Sequence, residues 1–268
     1  MEKYKFTIIT VCYNAEEYME ETIKSVLSQT YQNFEYVIKD GVSSDRTVDI
    51  ARRLTDGDNR AMIIQGKDTG IYDAMNIAVL QASGEYVLFL NAGDKFCDEN
   101  VLSEIAKRMH DKSADVYYGN MIQVDIVDGS RKKTKRIYNQ NSVKWLQYAI
   151  GRCICHQVIF ARKELLLEKV FDIKLSVCAD REWQMCCLKK GYCFMHFPIV
   201  VSEVLADGYS KNNEHVLEKE VRICIWKHCR NYLFLYDSIM FLKKNLWVKK
   251  ILQKLDELSA VKKLGKDE

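Results

Sequence analysis

Short apolar runs alternate with segments of helical periodicity over the first 120 residues of this 268-residue chain. Strands that alternate with helices in this way are typical of a parallel sheet with crossover helices. The sequence therefore predicts an α/β fold with a mixed, mainly parallel central sheet. We also expect Ser43 and Ser44 to cap the second helix. The predicted strands are 6–11, 34–38, 62–64, 86–90 and 115–118, and the predicted helices are 16–29, 45–54, 71–81 and 99–110.

After residue 120 the pattern changes. Asp128-Gly129 lies between the strand-like segments 121–127 and 135–138, and this dipeptide predicts a β-hairpin.

Polar residues follow the first strands at the points where the apolar runs stop. In an open α/β sheet the carboxyl ends of the strands form the edge at which ligands bind. We therefore expect these clusters to form one pocket, although they are distant in sequence. Acidic and small residues in such a pocket suit a ligand with ribose hydroxyls, a polar base and phosphates. The clusters are Tyr13-Asn14, Asp40-Gly41, Asp68 with Gly70, and Asn91-Ala92-Gly93-Asp94.

Several classes of function are disfavoured by what the sequence lacks. No GxGxxG follows the first strand and no GxxxxGK[ST] occurs, so the phosphate loops of dinucleotide-binding and P-loop proteins are missing. A net charge of +3 is too small to indicate a nucleic-acid partner. Because there is neither a secretory signal core nor an apolar stretch of the ~18 residues that a membrane span needs, we expect a cytoplasmic protein.

The ten cysteines are expected to be thiols in a reducing compartment. Cys153, Cys155 and His156 bring metal-ligating side chains close together in sequence. Their spacing is not that of a zinc ribbon, so we favour structural thiols and keep a zinc site as the alternative.

The C-terminal region, 213–268, is predicted to be helical and amphipathic. It interleaves large apolar side chains such as Trp226, Phe234 and Trp247 with lysines such as Lys243 and Lys250. That composition fits a helix lying on an anionic membrane surface. The alternative is a helix that packs on the core of the fold or on another subunit, and the oligomeric state is left open.

The polar clusters also carry a family resemblance. In order and in register they resemble the motifs of family 2 glycosyltransferases, over roughly the first 100 residues. The subgroup they are most similar to assembles bacterial capsule, exopolysaccharide and O-antigen, and it shares the pair His156-Gln157. The motifs are Thr10-Val11-Cys12-Tyr13-Asn14, Lys39-Asp40-Gly41-Val42-Ser43-Ser44-Asp45, Asp68-Thr69-Gly70-Ile71-Tyr72-Asp73-Ala74-Met75-Asn76 and Leu90-Asn91-Ala92-Gly93-Asp94.

The resemblance implies an inverting enzyme of the GT-A fold with a single Rossmann-like nucleotide-binding domain. The catalytic domain would span 1–212, with a nucleotide-sugar half at 1–120 and an acceptor half at 121–212, followed by the helical extension at 213–268. The donor would be a nucleotide sugar, most simply a UDP-sugar, and the acceptor a glycan or a lipid-linked sugar.

Residue roles can be carried over from the family to matching positions. Val11 and Tyr13 would line the nucleotide base, Asp40 would accept hydrogen bonds from uracil or ribose, and Asp68 would lie close to both. His156 would contact the acceptor or the diphosphate. Asn91, Ala92, Gly93 and Asp94 occupy the place of the family's DxD motif, which holds Mg²⁺ or Mn²⁺ on the diphosphate.

This chain departs from the DxD pattern because Asn91 stands where the family has an acid. Asp94 is then the candidate metal ligand, and Mg²⁺ can bind through one or two carboxylates plus phosphate and water. The alternative is that Asn91 and Asp94 merely form a turn.

An inverting transfer needs a base for the acceptor hydroxyl. Asp180 matches the family's position for this base at the start of a helix, and Glu182 is the reserve candidate. The alternative is that both acids only stabilise the helix, through the interaction of their negative charge with the positive end of the helix dipole. The resemblance also extends to 207–210, which would form a lid over the diphosphate.

Two rival functions remain open at this point. One is a non-catalytic nucleotide- or sugar-binding module, which is favoured by the replacement of one acid of the DxD motif by Asn91. The other is a nucleotidyltransferase, which would need a Gly-rich basic loop after the first strand. Cys12-Tyr13-Asn14-Ala15 does not resemble such a loop.

Overall fold

The structure is a computed structural model, and it describes residues 5–109, 113–128, 130–137, 139, 143–150, 152–206 and 213–244. Within these residues nine strands form one sheet that is flanked by helices. The strands are β1 Phe6–Cys12, β2 Phe34–Asp40, β3 Ala61–Gln65, β4 Tyr86–Phe89, β5 Lys95–Phe96, β6 Val116–Val127, β7 Ser130–Ile137, β8 Ile159–Arg162 and β9 Phe194–Leu205. The helices are α1 Glu16–Leu27, α2 Thr47–Thr55, α3 Ile71–Val79, α4 Val101–Met109, α5 Trp145–Ala149, α6 Lys163–Glu168, α7 Ala179–Lys189, α8 Glu214–His228 and α9 Leu233–Lys244.

The first half of the sheet is parallel, as the strand and helix alternation predicts. β1 lies between β2 and β4 and is parallel to both, and β3 is parallel to β2. Cys12 pairs with Asp40, and Asp40 pairs with Gln65, so the carboxyl ends of three strands are level. β1, β2 and β4 are buried along their whole length because helices cover the sheet, which explains why apolar residues dominate β1 and β4.

The second half makes the sheet mixed. β8 runs antiparallel to β4 and β6, while β9 is parallel to β6 and antiparallel to β5. The predicted hairpin at Asp128 is present, since β6 and β7 pair antiparallel on either side of it. The sheet order is β3-β2-β1-β4-β8-β6-β9-β5, with β7 on β6. The expected α/β fold with a mixed, mainly parallel sheet is confirmed.

The C-terminal helices pack on this core. α8 contacts α7 and buries Val221, Cys224 and Ile225, and α9 buries Tyr236. Other large side chains on these helices, such as Phe234, are exposed. Within the described part of the chain, each helix is too short or too polar to cross a bilayer. The boundary at 212 stays a prediction, and the lysines and tryptophan beyond 244 lie outside the described residues.

Candidate functional site

Tyr13, Gly41 and Asp68 come together at the level carboxyl ends of β1, β2 and β3. A Cβ atom added to Gly41 would lie 3.1 Å from the Asp68 Oδ2 and 3.3 Å from the Tyr13 Cδ2. A side chain at position 41 would therefore crowd both residues. The Tyr13 side chain is 65% exposed, whereas Val11 is buried in the strand. The exposed ring and the Asp68 carboxylate thus border the same surface of the sheet edge.

Asp40 is fully buried and organises the loop that follows β2. Its Oδ2 accepts hydrogen bonds from the backbone N–H groups of Val42 at 2.9 Å and Ser43 at 3.0 Å, and its Oδ1 accepts one from the Ser43 hydroxyl. Val42 has a φ of 69°, a left-handed conformation that these bonds hold. The expected capping of α2 by Ser43 or Ser44 is wrong, because the α2 N-cap residue is Arg46 and it makes no side-chain cap bond.

Lys39 is a part of the site that sequence reasoning missed. Its side chain is 1% exposed, and its Nζ donates to the Asp68 Oδ2 at 2.6 Å, the Gly66 carbonyl at 2.7 Å and the Asp40 carbonyl at 3.0 Å. The three N–H donors of the ammonium group are thus all used. Lys39 fixes the Asp68 carboxylate beside the end of β2. Lys39 directly follows the apolar residues 36–38 of a predicted strand, and this position was the available signal, since a buried lysine requires a partner.

Asp94 lies just beyond β4 and is 5% exposed. Its Oδ2 accepts a hydrogen bond from the Gln157 Nε2 at 3.0 Å, and its Oδ1 accepts one from the Leu205 N–H at 3.2 Å. Burial raises the pKa of Asp94 to about 6, although these bonds partly oppose the shift. Gly93 before it has a φ of 98°, and a Cβ there would lie 2.7 Å from the Leu205 Cδ1. A residue with a side chain would be strained at this φ and would have to displace Leu205, so glycine suits the turn at the end of β4.

Asn91, His156 and Asp180 form a continuous chain of hydrogen-bonding groups. The Asn91 Nδ2 lies 2.9 Å from the His156 Nε2, and the His156 Nδ1 lies 3.1 Å from the Asp180 Oδ2. Because an ionised carboxylate can only accept, the Nδ1 of His156 carries the proton in this contact. The Oδ1 of Asn91 is buried and has no hydrogen-bond partner among the described residues. The chain joins the strand end at Asn91 directly to the helix that carries Asp180.

Asp180 is in the first turn of α7, and its carboxylate is held from several directions. Its Oδ1 accepts hydrogen bonds from the Tyr72 hydroxyl at 3.1 Å and from the Arg181 N–H at 2.7 Å. Burial acts to raise the pKa of Asp180, but the hydrogen bonds from His156 and the Arg181 N–H, together with the Arg181 charge, outweigh it and hold the pKa below its usual value. Asp180 is therefore ionised at neutral pH.

Glu182 belongs to a different environment. Its buried carboxylate pairs with the Lys227 Nζ at 2.6 Å and the His228 Nε2 at 2.9 Å, both on α8. Burial opposes ionisation, but these partners and Lys169 lower the pKa of Glu182 to about 2. Glu182, the reserve candidate for the base, is thus paired with residues of α8 and is not part of the hydrogen-bonded series that contains His156.

The residues at the end of β4 fit a divalent metal that takes most of its ligands from phosphate and water. They offer one carboxylate, from Asp94, and the partnerless buried oxygen of Asn91. Oxygen ligands of this kind suit Mg²⁺ or Mn²⁺. No group of three or more His, Cys, Asp or Glu side chains in the described ranges is placed to hold a metal by itself. Cys155 and His156 instead bond to Gln157, Asn91 and Asp180.

The sequence-predicted residues thus form two groups along one edge. Tyr13, Asp40 and Asp68 surround Gly41. Asn91, Asp94, His156 and Asp180 cluster near the end of β4 and the start of α7. Ala92 and Gly93 form the turn between Asn91 and Asp94. The expected lid at 207–210 lies outside the described residues.

Comparison with known proteins identifies the family. The model for "Glycosyl transferase family 2" matches residues 7–169. A putative teichuronic acid biosynthesis glycosyltransferase, TuaG of Bacillus subtilis, is 32% identical over 235 residues, which are 87% of each chain. A PGL/p-HBAD biosynthesis glycosyltransferase of Mycobacterium bovis is 31% identical over 185 residues, covering 68% of this chain and 69% of the relative.

Solved structures give the same fold at lower sequence identity. TarS 1-349 of S. aureus in complex with UDP-GlcNAc has a TM-score of 0.65 and 20% identity, covering 91% of this chain and 77% of that one. The mannosyltransferase PcManGT of Pyrobaculum calidifontis, in complex with GDP-Man and Mn²⁺, has a TM-score of 0.59 and 16% identity, covering 97% of this chain and 81% of that one. Both likenesses support the GT-A fold that the motifs imply. The family resemblance is therefore confirmed, and the chain belongs to glycosyl transferase family 2 and is a glycosyltransferase.

Proposed function

We propose that this glycosyltransferase is an inverting enzyme that moves a sugar from a UDP-sugar to a glycan or lipid-linked acceptor in the synthesis of a surface polysaccharide. The observation that carries the proposal is the hydrogen-bonded series of side chains from Asn91 through His156 to Asp180. It connects the end of β4, where the diphosphate would bind, to an ionised carboxylate. The named activities of TuaG and the mycobacterial relative support the pathway, and the UDP and UDP-GlcNAc complexes of TarS support the donor class.

The nucleotide would bind at the ends of β1 to β3. The exposed Tyr13 ring offers a surface for stacking on the base, beside Val11. Asp68, held by Lys39, would accept hydrogen bonds from the ribose or the base. Asp40 is fully buried and already uses both oxygens in its own loop, so its contribution would be to hold Val42 and Ser43 in place beside the base.

The diphosphate would lie at the end of β4. Asp94 and the Oδ1 of Asn91 would hold Mg²⁺ or Mn²⁺, which supplies positive charge to the leaving diphosphate. The Mn²⁺ complex of PcManGT is in keeping with such a metal. Asp94 would have to ionise to take part, and its raised pKa makes that step dependent on pH.

Asp180 would act as the general base. The acceptor hydroxyl attacks the anomeric carbon from the side opposite the diphosphate, so that the new C–O bond forms as the bond to the diphosphate oxygen breaks. The hydroxyl proton passes to Asp180. Its Oδ1 already accepts two hydrogen bonds and its Oδ2 one, so Oδ2 has the spare lone pair. His156 keeps this carboxylate oriented from its other side.

Release of UDP from a panel of UDP-sugars, with Mn²⁺ and candidate acceptors, tests the proposal. An active enzyme should release UDP faster with an acceptor than without one, and product analysis should show inversion at the anomeric carbon. UDP binding without release from any donor and acceptor pair would favour the non-catalytic binding module, and absence of both would reject the proposal.

We further propose that the C-terminal helices contact a membrane that carries the acceptor. Trp226 is 56% exposed and Phe234 is 84% exposed, and the Arg230 guanidinium lies 5.8 Å from the Trp226 ring centre. Exposed aromatic side chains with cations suit an anionic bilayer surface. The wild-type protein should float with anionic vesicles in a density gradient. The double variant Trp226→Ser with Phe234→Ser should no longer float with them. The control Leu80→Ser, at the exposed C-cap of α3, should leave flotation unchanged.

A further inference from the structure

Glu220 is a buried acid in α8, outside the site described above. Its side chain is 6% exposed and accepts four hydrogen bonds from three consecutive residues. Oε1 accepts from the Ser176 N–H at 2.7 Å and the Ser176 hydroxyl at 3.0 Å. Oε2 accepts from the N–H groups of Val177 at 2.8 Å and Cys178 at 2.9 Å. All of these donors belong to the loop that leads into α7.

This loop determines where α7 begins. Cys178 is the N-cap residue of α7, and its side chain makes no capping hydrogen bond. Helix N-termini leave backbone N–H groups that need acceptors, and they favour nearby negative charge. From another helix, Glu220 accepts a hydrogen bond from the N–H of the N-cap residue Cys178 and brings a carboxylate close to the start of α7. It therefore holds the segment that leads into the end of α7 that carries Asp180.

The same loop is also held from its opposite side. The Tyr72 hydroxyl lies 2.8 Å from the Val177 carbonyl oxygen and 3.1 Å from the Asp180 Oδ1. Val177 is thus bonded through its N–H to Glu220 and through its carbonyl to Tyr72. Movement of the loop would change the distances from Asp180 to Tyr72 and to His156 together.

We propose that Glu220 is a positioning residue for the reaction, which acts by fixing residues 176–178 and through them the Asp180 carboxylate. The inference rests on the proposed role of Asp180 as the base. It gives α8 a part in catalysis, beside the contact of Glu182 with Lys227 and His228 that also joins α7 to α8. Hydrogen bonds to an ionised acceptor are stronger than those to a neutral one, which suits a carboxylate with four donors.

Glu220→Gln is the direct test, because it replaces one oxygen by an NH₂ group that cannot accept from the loop. We expect kcat for UDP release in the full-length chain to fall by about 10- to 100-fold, the range in which small displacements of a reacting group act. The UDP dissociation constant should stay within about twofold, since the hydrogen bonds of Glu220 go to residues 176–178 and not to the proposed nucleotide contacts Tyr13 and Asp68. The acidic limb of the kcat profile should move to higher pH, because displacement of the loop weakens the hydrogen bonds from His156 and the Arg181 N–H that lower the pKa of Asp180.

Two controls separate positioning from general stability. Glu214→Gln makes the same change at the start of α8, away from the loop, and Lys227→Gln weakens the α7 to α8 contact at Glu182. Both should keep the wild-type kcat per folded molecule and the wild-type acidic limb. If Glu220→Gln does not fold, Ser176→Ala removes one of the four bonds and should lower kcat about two- to fivefold with the same direction of pH shift.

Failure of this inference can be distinguished from failure of the proposed function. A Glu220→Gln protein that is less stable but has the wild-type kcat and acidic limb would overturn the inference and leave Asp180 as the base. Where Glu220→Gln cannot be studied, wild-type kcat and acidic limb in Ser176→Ala would overturn it in the same way. Full activity in Asp180→Asn would overturn both, because the base that Glu220 is inferred to position would not exist.

Discussion

Removal of the charge at Asp94 should give the ligand-free protein a distinct pH dependence of stability. The Asp94 carboxylate is almost fully buried, and its hydrogen-bond donors among the described residues, Gln157 and the Leu205 N–H, are neutral. Burial raises the pKa of Asp94 from 3.8 to about 6. The folded protein therefore holds this proton more tightly than the unfolded chain does.

The magnitude follows from the difference between the two pKa values. One pKa unit corresponds to about 1.4 kcal/mol, so ionised Asp94 lowers the free energy of unfolding by about 3 kcal/mol. Because the folded state binds more protons between 3.8 and about 6, stability falls as the pH rises through that window and levels off above it. From about pH 4.5 to about pH 8 the Asp94 contribution changes by about 2 kcal/mol.

Asp94→Asn removes this titration and also loses a hydrogen bond, which costs about 1–2 kcal/mol at every pH. Urea unfolding across that pH range, without metal or nucleotide, measures both effects. The unfolding free energy of the variant minus that of the wild type should rise by about 2 kcal/mol toward high pH. Asp56→Asn, at an exposed position, should give a flat difference. A flat difference for Asp94→Asn as well would refute the claim that Asp94 is a desolvated acid.

Three further variants address the pocket, the turn and the base. Lys39→Met should leave the Asp68 carboxylate without its charged partner and lower the free energy of unfolding, measured in urea, by about 3 kcal/mol. The same substitution should weaken UDP binding measured by calorimetry. Gly93→Ala should lower the free energy of unfolding by about 1–3 kcal/mol, seen as a lower Tm, because its φ of 98° is strained for alanine. Tyr72→Phe should lower kcat several-fold in the UDP-release assay and leave UDP binding unchanged, since it removes a hydrogen bond to Asp180. A wild-type value in any of these assays contradicts the corresponding contact.

Much of the parallel half of the fold could be predicted from the sequence because its signals are local. Buried strands and amphipathic helices each leave a periodic pattern in a short window. β5 has only two residues, too few for such a pattern, and sequence reasoning missed it. The sequence predicts separate segments at 115–118 and 121–127, yet they form the single strand β6. Pairing with β8, β9 and β7 in succession makes that strand continuous, and the pairing is not encoded locally.

The candidate site shows the same division. The motifs place Asp94 just after a strand and Asp180 at the start of a helix, as the structure has them, since strand ends and helix starts are local features. Their partners are far away in the chain, as with Gln157 for Asp94 and Glu220 for the loop before Asp180. Ser43 is expected to cap α2 but bonds to Asp40 instead, because a buried carboxylate nearby needs a donor. Such choices depend on which polar groups folding buries together.

The role of Asp180 as the base is tested most directly by UDP release and UDP binding, measured for the wild type and Asp180→Asn under the same conditions. Asparagine is close to aspartate in size, so the contact with the Tyr72 hydroxyl can persist while the basic oxygen is lost. We expect kcat to fall by about 10²-fold or more, the scale of general-base catalysis, with UDP binding within about twofold of the wild type. Turnover by Asp180→Asn at the wild-type rate would show that Asp180 is not the base.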